Sequence, residues 1–421
     1  MKTRTPSLGT PPEIKKREDE RITQVRRYKL ITPLFGGGVE PNQADPITVV
    51  RGTEIRGQLR FWWRATRGGQ FKGNLKAMRQ REEEIWGSAA AKNKPGPSEV
   101  IVNVEVLNRG KPFQAVDRNN NPVRNIGDIK SVDSYAAFPL RADTSNPPVL
   151  QDVEFALTIS NPLKWKQEVE ATLWAWETFG GLGARTRRGF GALQLLAIGS
   201  KSLKPLNIDQ IRIWVLSGLK THVAEGPWPE GVPHLTKNTK FILTPQNGKT
   251  DSIEAWRYLI GKLKKFRQSR HPDSKGRSFG RSKWPEPDQI RRLTHTASSG
   301  HEPQHPVAKF PRGQFGLPII FQFKDKDVEK GDPHQSSLQG ANHERFASSL
   351  ILRPLACSGG AIGLALKLTS PHSPPHGYAL KIDDELQPVT VTDLSASDAN
   401  AIEPLDGEPD VLQAFLNSLK K

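Results

Sequence analysis

KWKQEVEATLWAWETFGGLGARTRRGFGALQLLAI, residues 164–198, decides how the first half of this chain folds. Its opening reads as a helix, with Trp165, Val169, Leu173, Trp176 and Phe179 along one stripe that would lie on a sheet. Its end, FGALQLLAI, reads as a strand. Between the two, Gly180, Gly181, Gly183, Gly189 and Gly191 surround Arg185, Arg187 and Arg188. Glycine lets a backbone approach a ligand closely, and the guanidinium groups add positive charge. This is not a nucleotide P-loop, which leads into a helix N-terminus and carries a Lys-Ser/Thr pair. Here the loop follows a helix and leads into a strand. A tight basic turn with no ligand is the plainer alternative.

Working outward, DVEFALTIS (152–160) reads as a strand, and EVIVNVEVL (99–107) alternates as a half-buried strand does. NLKAMRQREEEIW (74–86) reads as a short helix ending at Gly87. TEIRGQLRFWWRAT (53–66) reads as a helix with Thr53 as N-cap, Glu54 in its first turn and Gly68-Gly69 as its stop. Its Ile55, Leu59 and Trp62 recur at helical spacing. RITQVRRYKLIT (21–32) is a strand that runs into the loop PLFGGGVEPNQADP, whose Gly36, Gly37 and Gly38 allow unusual backbone geometry. Residues 108–132 read as an exposed loop. The order strand, helix, strand, strand, helix, strand predicts a ferredoxin-like (RRM-like βαββαβ) domain over 21–200, after a mobile tail at 1–20.

The second half repeats the idea less clearly. IRIWVLSGL (211–219) and TKFILTP (239–245) are strand candidates, followed by an amphipathic helix, DSIEAWRYLIGKLKKF (251–266). FGLPIIFQF, RFASSLILRPL and GGAIGLALKLTS are further strand candidates, and DVLQAFLNSL is a closing helix. The expected fold is α+β: two ferredoxin-like domains with long insertions, the second degenerate, over 201–421, with a basic insertion at 269–312.

The chain has 421 residues, 61 Lys and Arg against 44 Asp and Glu, and a net charge of +17. That excess predicts a polyanionic partner, nucleic acid first. One cysteine, Cys357, excludes an intrachain disulfide and a cysteine-based zinc site and fits a reducing compartment. No apolar run reaches the roughly 18 residues that span a bilayer, and the first residues show no signal-peptide core. A cytoplasmic protein without membrane contact is expected.

Arg56, Arg60 and Arg64 form a ladder at spacing four, with Arg51 just before and Arg67 just after. Glu54 is the one acidic residue within 53–67, so a phosphate backbone is the expected counter-surface, and a solvated helix face the alternative. Of Trp62 and Trp63, one is expected inside and the other beside the arginines. A basic run from Lys262 to Arg292, opposed by Asp273, Glu286 and Asp288, reads either as a flexible arm along a polyanion or as a solvated loop. Catalytic candidates are weak. His295, His301 and His305 share a loop with no carboxylate pattern that completes a zinc site, and Asp45 before Pro46 reads as a turn residue or a lone metal ligand. No catalytic residue, metal or cofactor is expected.

ITPLFGGG (31–38), the Asp45 loop, VVRGTEIRGQLRFWWR (49–64) and FGGLGARTRRGFGAL (179–193) together resemble the first-subunit family of type III-B Cmr CRISPR complexes, within the RAMP superfamily of RNA-binding proteins. The likeness is specific in the N-terminal half and loose in the C-terminal half, and 269–312 has no counterpart in it. It implies two ferredoxin-like domains and a non-catalytic role in an RNA-guided antiviral complex, holding guide RNA (crRNA) toward its 3′ end. It implies as partners that RNA, the other subunits and, as a further candidate, target RNA. Arg51, Arg56, Arg60, Arg64, Gly36, Gly37, Gly38, Gly181, Gly183, Arg185, Arg187, Arg188 and Gly189 would then line one basic groove. Target cleavage in such complexes is attributed to a repeated backbone subunit with an Asp in its first loop, and Asp45 sits in a comparable place. Two other classes stand beside this one. A RAMP endoribonuclease that processes guide-RNA precursors would need a base and an acid, commonly histidine, and residues 1–200 hold none. A purely structural adaptor leaves the arginine density unexplained.

Overall fold

A computed structural model describes residues 20–39, 44–89, 96–140, 149–244, 250–273, 275–277, 280–389 and 393–420. The tail expected over 1–20 lies, apart from Glu20, outside the described residues. The fold is mixed α/β with antiparallel sheets.

The first half holds β1 (Arg21–Leu30), α1 (Gly52–Arg67), α2 (Leu75–Trp86), β2 (Ile101–Asn108), β3 (Glu154–Pro162), α3 (Lys166–Phe179), β4 (Leu193–Ile198) and β5 (Lys201–Ser202). The sheet runs in the order β2-β3-β1-β4-β5, and each neighbouring pair is antiparallel. Tyr28 lies opposite Phe155 in the β1–β3 register, and their rings stack at 5.2 Å. α1 and α3 bury Ile55, Leu59, Trp62, Val169, Leu173 and Trp176 in one core with the sheet residues Tyr28, Leu30, Phe155 and Leu157.

α1 begins at Gly52 with Arg51 as its N-cap, two residues earlier than the expected Thr53. Arg51 makes no capping hydrogen bond, because a guanidinium has no acceptor to offer the first-turn N–H groups; it donates instead to the carbonyls of Gly37 (2.8 Å) and Gly38 (2.6 Å). α2 is capped as its sequence suggests: the Asn74 side chain accepts from the Ala77 N–H at 3.0 Å. Residues 108–132 are largely irregular, yet Ala115 and Ile126 are buried in the second core, so this segment is pinned to the protein rather than an exposed loop throughout.

IRIWVLSGL is not a strand. It lies within α4 (Ile208–His222), started by a capping box between Asn207 and Gln210. Ile211, Val215, Gly218 and Leu219 recur at helical spacing and are the buried residues of α4. Gly218 permits that seat, since a Cβ there would stand 2.0 Å from the Trp174 ring of α3. This cover explains why α3 is buried on nearly every side.

The second half splits into two small sheets. β6 (Phe241–Leu243), β9 (Leu350–Cys357) and β10 (Gly360–Lys367) form one in the order β9-β10-β6, with α5 (Ser252–Arg267) against it. β7 (Ile319–Phe321), β8 (Ser336–Gly340), β11 (Tyr378–Ile382) and β12 (Glu385–Val389) form the other, in the order β12-β11-β8-β7. β7 and β8 lie between β6 and β9 in the chain and β11 and β12 follow β10, so the second sheet is built from one insertion into the first and one segment after it. The basic stretch 269–312 carries α6 (Glu286–Thr294), and α7 (Val411–Ser418) closes the second core.

The two halves are joined through polar groups as well as through apolar contact. Arg353 of β9 is 0% exposed and donates to the carbonyls of Gly180 (2.5 Å), Leu193 (2.7 Å) and Glu177 (3.0 Å). Burial pushes its pKa down to about 9, with Glu177 opposing. Residues Ile351, Ile362, Leu364 and Leu366 of the second half belong to the first core.

Candidate nucleic-acid interface

The three motifs singled out in the sequence meet at one corner. The loop 33–38 and the turn 180–191 are hydrogen-bonded to each other: Gly191 N–H donates to the Pro33 carbonyl (2.9 Å) and Ala184 N–H to the Phe35 carbonyl (2.6 Å). Two glycines make this contact possible. Gly183 has φ +84° and its Cβ would lie 2.5 Å from the Phe35 oxygen; Gly37 has φ +95° and its Cβ would lie 2.5 Å from Glu54 Oε1. Gly36 is buried against this corner, Gly38 supplies a carbonyl to Arg51, Gly181 is buried and forms an isolated bridge with Ala192, and the Gly189 carbonyl accepts from Thr32 (2.6 Å).

Glu54 closes the corner from α1. Its Oε1 accepts from the Gly183 N–H, and its buried Oε2 has no partner among the described residues. Burial raises its pKa to about 7, against the pull of the Gly183 N–H and the Arg51 charge.

The turn at 185–188 gathers charge without neutralising it. Arg185 takes the left-handed conformation (φ +57°), and its Nε is buried without a hydrogen-bond partner. Arg187 donates to the Ser348 carbonyl and lies 5.0 Å over the Phe61 ring. Arg188 donates to the carbonyls of Phe315 (2.8 Å) and Leu350 (3.2 Å). Burial lowers the pKa of Arg185 and Arg187 to about 10 and that of Arg188 to about 9; Arg267 and neighbouring arginines of the turn push Arg188 the same way. No carboxylate pairs with any of the three among the described residues. Arg267, at the end of α5, completes the cluster and donates to the Tyr135 hydroxyl at 2.9 Å. The sequence hid this pair: Arg267 belongs to a basic run far along the chain, and Tyr135 follows a stretch with no helix or strand period.

The α1 ladder has a different environment. Arg60 and Arg64 share Glu82 of α2, at 2.6 and 2.5 Å, and Glu82 is 4% exposed. Arg67 pairs with Glu168 at 3.0 Å, and Glu168 also accepts the Trp63 N–H at 2.6 Å. Arg60, Arg64 and Arg67 are therefore not an unneutralised stripe. Trp62 and Trp63 are both buried, at 3% and 0%, so neither ring stands beside the arginines in solvent. Arg187 meets α1 at the Phe61 ring, and Phe61 lines one cavity with Arg60 and Arg64.

Asp45 is spent on its own turn: it accepts from the N–H of Ile47 (3.0 Å) and from the N–H (2.7 Å) and hydroxyl (2.9 Å) of Thr48. The Thr48 donors hold its pKa below the usual carboxylate value. The stretch 269–312 is neither a free arm nor bare loop among the described residues. Arg281 pairs with Asp288 (2.9 Å), Arg291 with Asp332 (2.8 Å) and Arg312 with Glu286 (3.0 Å), while Trp284 is 1% exposed. Contrary to expectation, carboxylates do approach one histidine here: ligand atoms of His301, Asp327 and Asp332 lie within 4.8 Å of one another. Asp332 already receives Arg291 through both oxygens and the Ser298 N–H. No described helix is long and apolar enough to cross a membrane.

The family model for the RAMP superfamily matches residues 27–194, the stretch that contains all three motifs. The CRISPR system Cmr subunit Cmr1-2 of Pyrococcus furiosus is 27% identical over 191 residues, covering 39% of this chain and 90% of the relative. Subunit Cmr1-1 of the same organism is 25% identical over 162 residues, 38% of this chain and 44% of the relative, so the likeness spans less than half of that protein. Among solved structures, apo Cmr1 of Pyrococcus furiosus aligns with TM-score 0.47 and 17% identity over 83% of this chain and 88% of that one. A chain of the type III-B Cmr-β complex bound to cognate target RNA aligns with TM-score 0.48 and 14% identity over 94% and 100%.

Proposed function

We propose that this chain is a non-catalytic, RNA-binding subunit of a type III-B Cmr RNA-guided complex, holding guide RNA toward its 3′ end. The carrying observation is the cluster Arg185, Arg187 and Arg188, buried to the point of depressed pKa beside Arg267, with no carboxylate paired to the turn among the described residues. A protein that assembles such charge without neutralising it is stabilised by an anion, and guanidinium binds phosphate oxygens through paired donors. The RAMP match, the names of the Cmr relatives and the net charge of +17 support RNA and sister subunits as the partners.

In this reading the first sheet, with strand order β2-β3-β1-β4, is a ferredoxin-like unit over about 21–200. β6, α5, β9 and β10, ordered β9-β10-β6, are a reduced second unit within 201–421 that lacks a fourth strand in its sheet. Gly36, Gly37, Gly38, Gly181, Gly183 and Gly189 shape the corner, and Arg51 braces it. Arg60 and Arg64 serve the fold more than the ligand.

Chemistry is not part of the role. Metal-assisted cleavage needs carboxylates free to hold a cation, and Asp45 is engaged in its turn. Labelled single-stranded RNA incubated with the purified protein should shift without shortening, with or without divalent metal. Cleavage that disappears in Asp45→Ala while binding is kept would overturn the non-catalytic reading. Loss of the shift in no arginine variant of the turn would overturn the binding reading.

A further inference from the structure

Arg56 is the ladder residue that Glu82 does not reach. It lines a cavity of about 420 Å³ on the flank of α1 away from the glycine corner, with Arg60, Trp86, Ser88, Ser98 and Ile101 among the other walls. Three side-chain polar atoms in these walls are buried with no hydrogen-bond partner: Arg56 Nε, Trp86 Nε1 and Ser88 Oγ. Trp86 is 1% exposed. Buried donors of this kind are nearly always paired, and three around one cavity call for an acceptor that the described residues do not supply. The other polar walls are satisfied. Arg60 is held by Glu82 and by the Gly87 carbonyl (3.2 Å), and the Ser98 hydroxyl lies within hydrogen-bond reach of the carbonyls of Val100 (2.7 Å) and Ile85 (3.1 Å). No carboxylate lines the cavity.

We propose that this cavity binds a phosphoryl group carried by a ligand of mononucleotide size. The unpartnered set consists of one cationic donor, one neutral N–H donor and one hydroxyl, which matches a group rich in acceptors and negatively charged. The volume falls in the range of small-ligand pockets and exceeds what a lone inorganic ion fills. The proposal goes beyond the RNA reading, which rests on the turn at 185–188 and stands or falls separately. The phosphoryl group has two sources, a free mononucleotide or one nucleotide of an RNA strand.

The full chain is titrated calorimetrically with adenosine 5′-monophosphate, with adenosine as the phosphate-free control, and separately with labelled single-stranded RNA. The variants are Trp86→Phe, which removes the N–H and keeps the ring bulk, and Arg56→Gln. Binding of the monophosphate but not adenosine, weakened at least tenfold in both variants, supports the proposal with a free nucleotide as source. No monophosphate binding, with RNA affinity at least tenfold weaker in both variants, supports it with a strand nucleotide as source. The melting temperature of ligand-free Trp86→Phe should not fall, because the deleted N–H has no partner to lose. If it does fall, Arg56→Gln, at a partly exposed side chain, decides alone. Adenosine binding as tightly as its monophosphate, or neither ligand responding to the variants, overturns the proposal. The double variant Arg185→Ala/Arg187→Ala keeps the two readings apart: it should weaken RNA and leave the monophosphate affinity unchanged.

Discussion

The α1 ladder and the 185–188 turn are built from the same residue, and the protein treats their charges in opposite ways. Arg60 and Arg64 converge on Glu82, and Arg67 on Glu168, so each of these three guanidinium groups has an anionic partner from another helix. Arg185, Arg187 and Arg188 find backbone carbonyls, an aromatic face and one another, and none finds a carboxylate among the described residues. Density of arginine is therefore a poor guide to a binding surface; what distinguishes the two regions is where the nearest acid is delivered by the fold.

The comparison breaks most visibly at Glu82. Glu82→Ala leaves two guanidinium groups facing each other in a part-buried niche, and unfolding stability in urea should fall by about 3 kcal/mol, the low end for a broken buried pair because both arginines are a third exposed. A loss under about 0.5 kcal/mol, the scale of a surface pair, would mean that the ladder is not neutralised there. No substitution of an acid near the turn has an equivalent, with one exception.

That exception is Glu54, which links the ladder helix to the glycine corner. Its folded pKa, raised to about 7 by burial, lies above its ordinary 4.5. The folded state therefore binds the proton more tightly, and the stability this confers is complete below about pH 4.5 and lost as pH rises through about 7. The loss should amount to about 2 kcal/mol between pH 5 and 8, with partial solvent screening allowed for, and should vanish in Glu54→Gln. Parallel melting curves for the two proteins across that range would show the carboxylate already ionised in the fold.

RNA binding sharpens the contrast from the other side. Arg185→Ala/Arg187→Ala should weaken single-stranded RNA about 10- to 30-fold, or about 1.5–2 kcal/mol, with little change in melting temperature. Arg64→Ala should weaken it less than about threefold, a loss of about 0.6 kcal/mol at most, and lower stability instead. Equal losses of affinity from both would erase the distinction. The finest test is the salt dependence. The slope of log affinity against log salt should flatten by about 0.7 for each phosphate contact removed, in the double variant and not in Arg64→Ala.

How much of this the sequence reveals depends on how local the cause is. α1 and α3 are legible because their apolar stripes repeat at helical spacing within one window. α4 is misleading: Ile211, Ile213 and Val215 alternate like a strand, and the deciding fact, a seat on Trp174 made by Gly218, lies in another helix. The glycine corner is legible as three motifs, but its closure through Glu54, read in the sequence only as a first-turn acid, depends on the Gly183 N–H far along the chain. Glu82 and Glu168 escape a window reading because each lies on a different helix from the arginine it meets. The same blindness misplaces Trp63, whose N–H is satisfied by Glu168 in the interior and so needs no solvent.

Arg353 has a consequence in time as well as in space. A ribosome releases the chain from the N-terminus, and the carbonyls of Glu177, Gly180 and Leu193 emerge long before the guanidinium that satisfies them, 160 residues beyond Leu193. At about 5–20 residues per second, the nascent first half waits on the order of 10–30 s with that socket open to water. During translation the motif-bearing half is thus complete in sequence and incomplete in structure. A message truncated before codon 353 yields every recognition motif without the side chain that locks them in place.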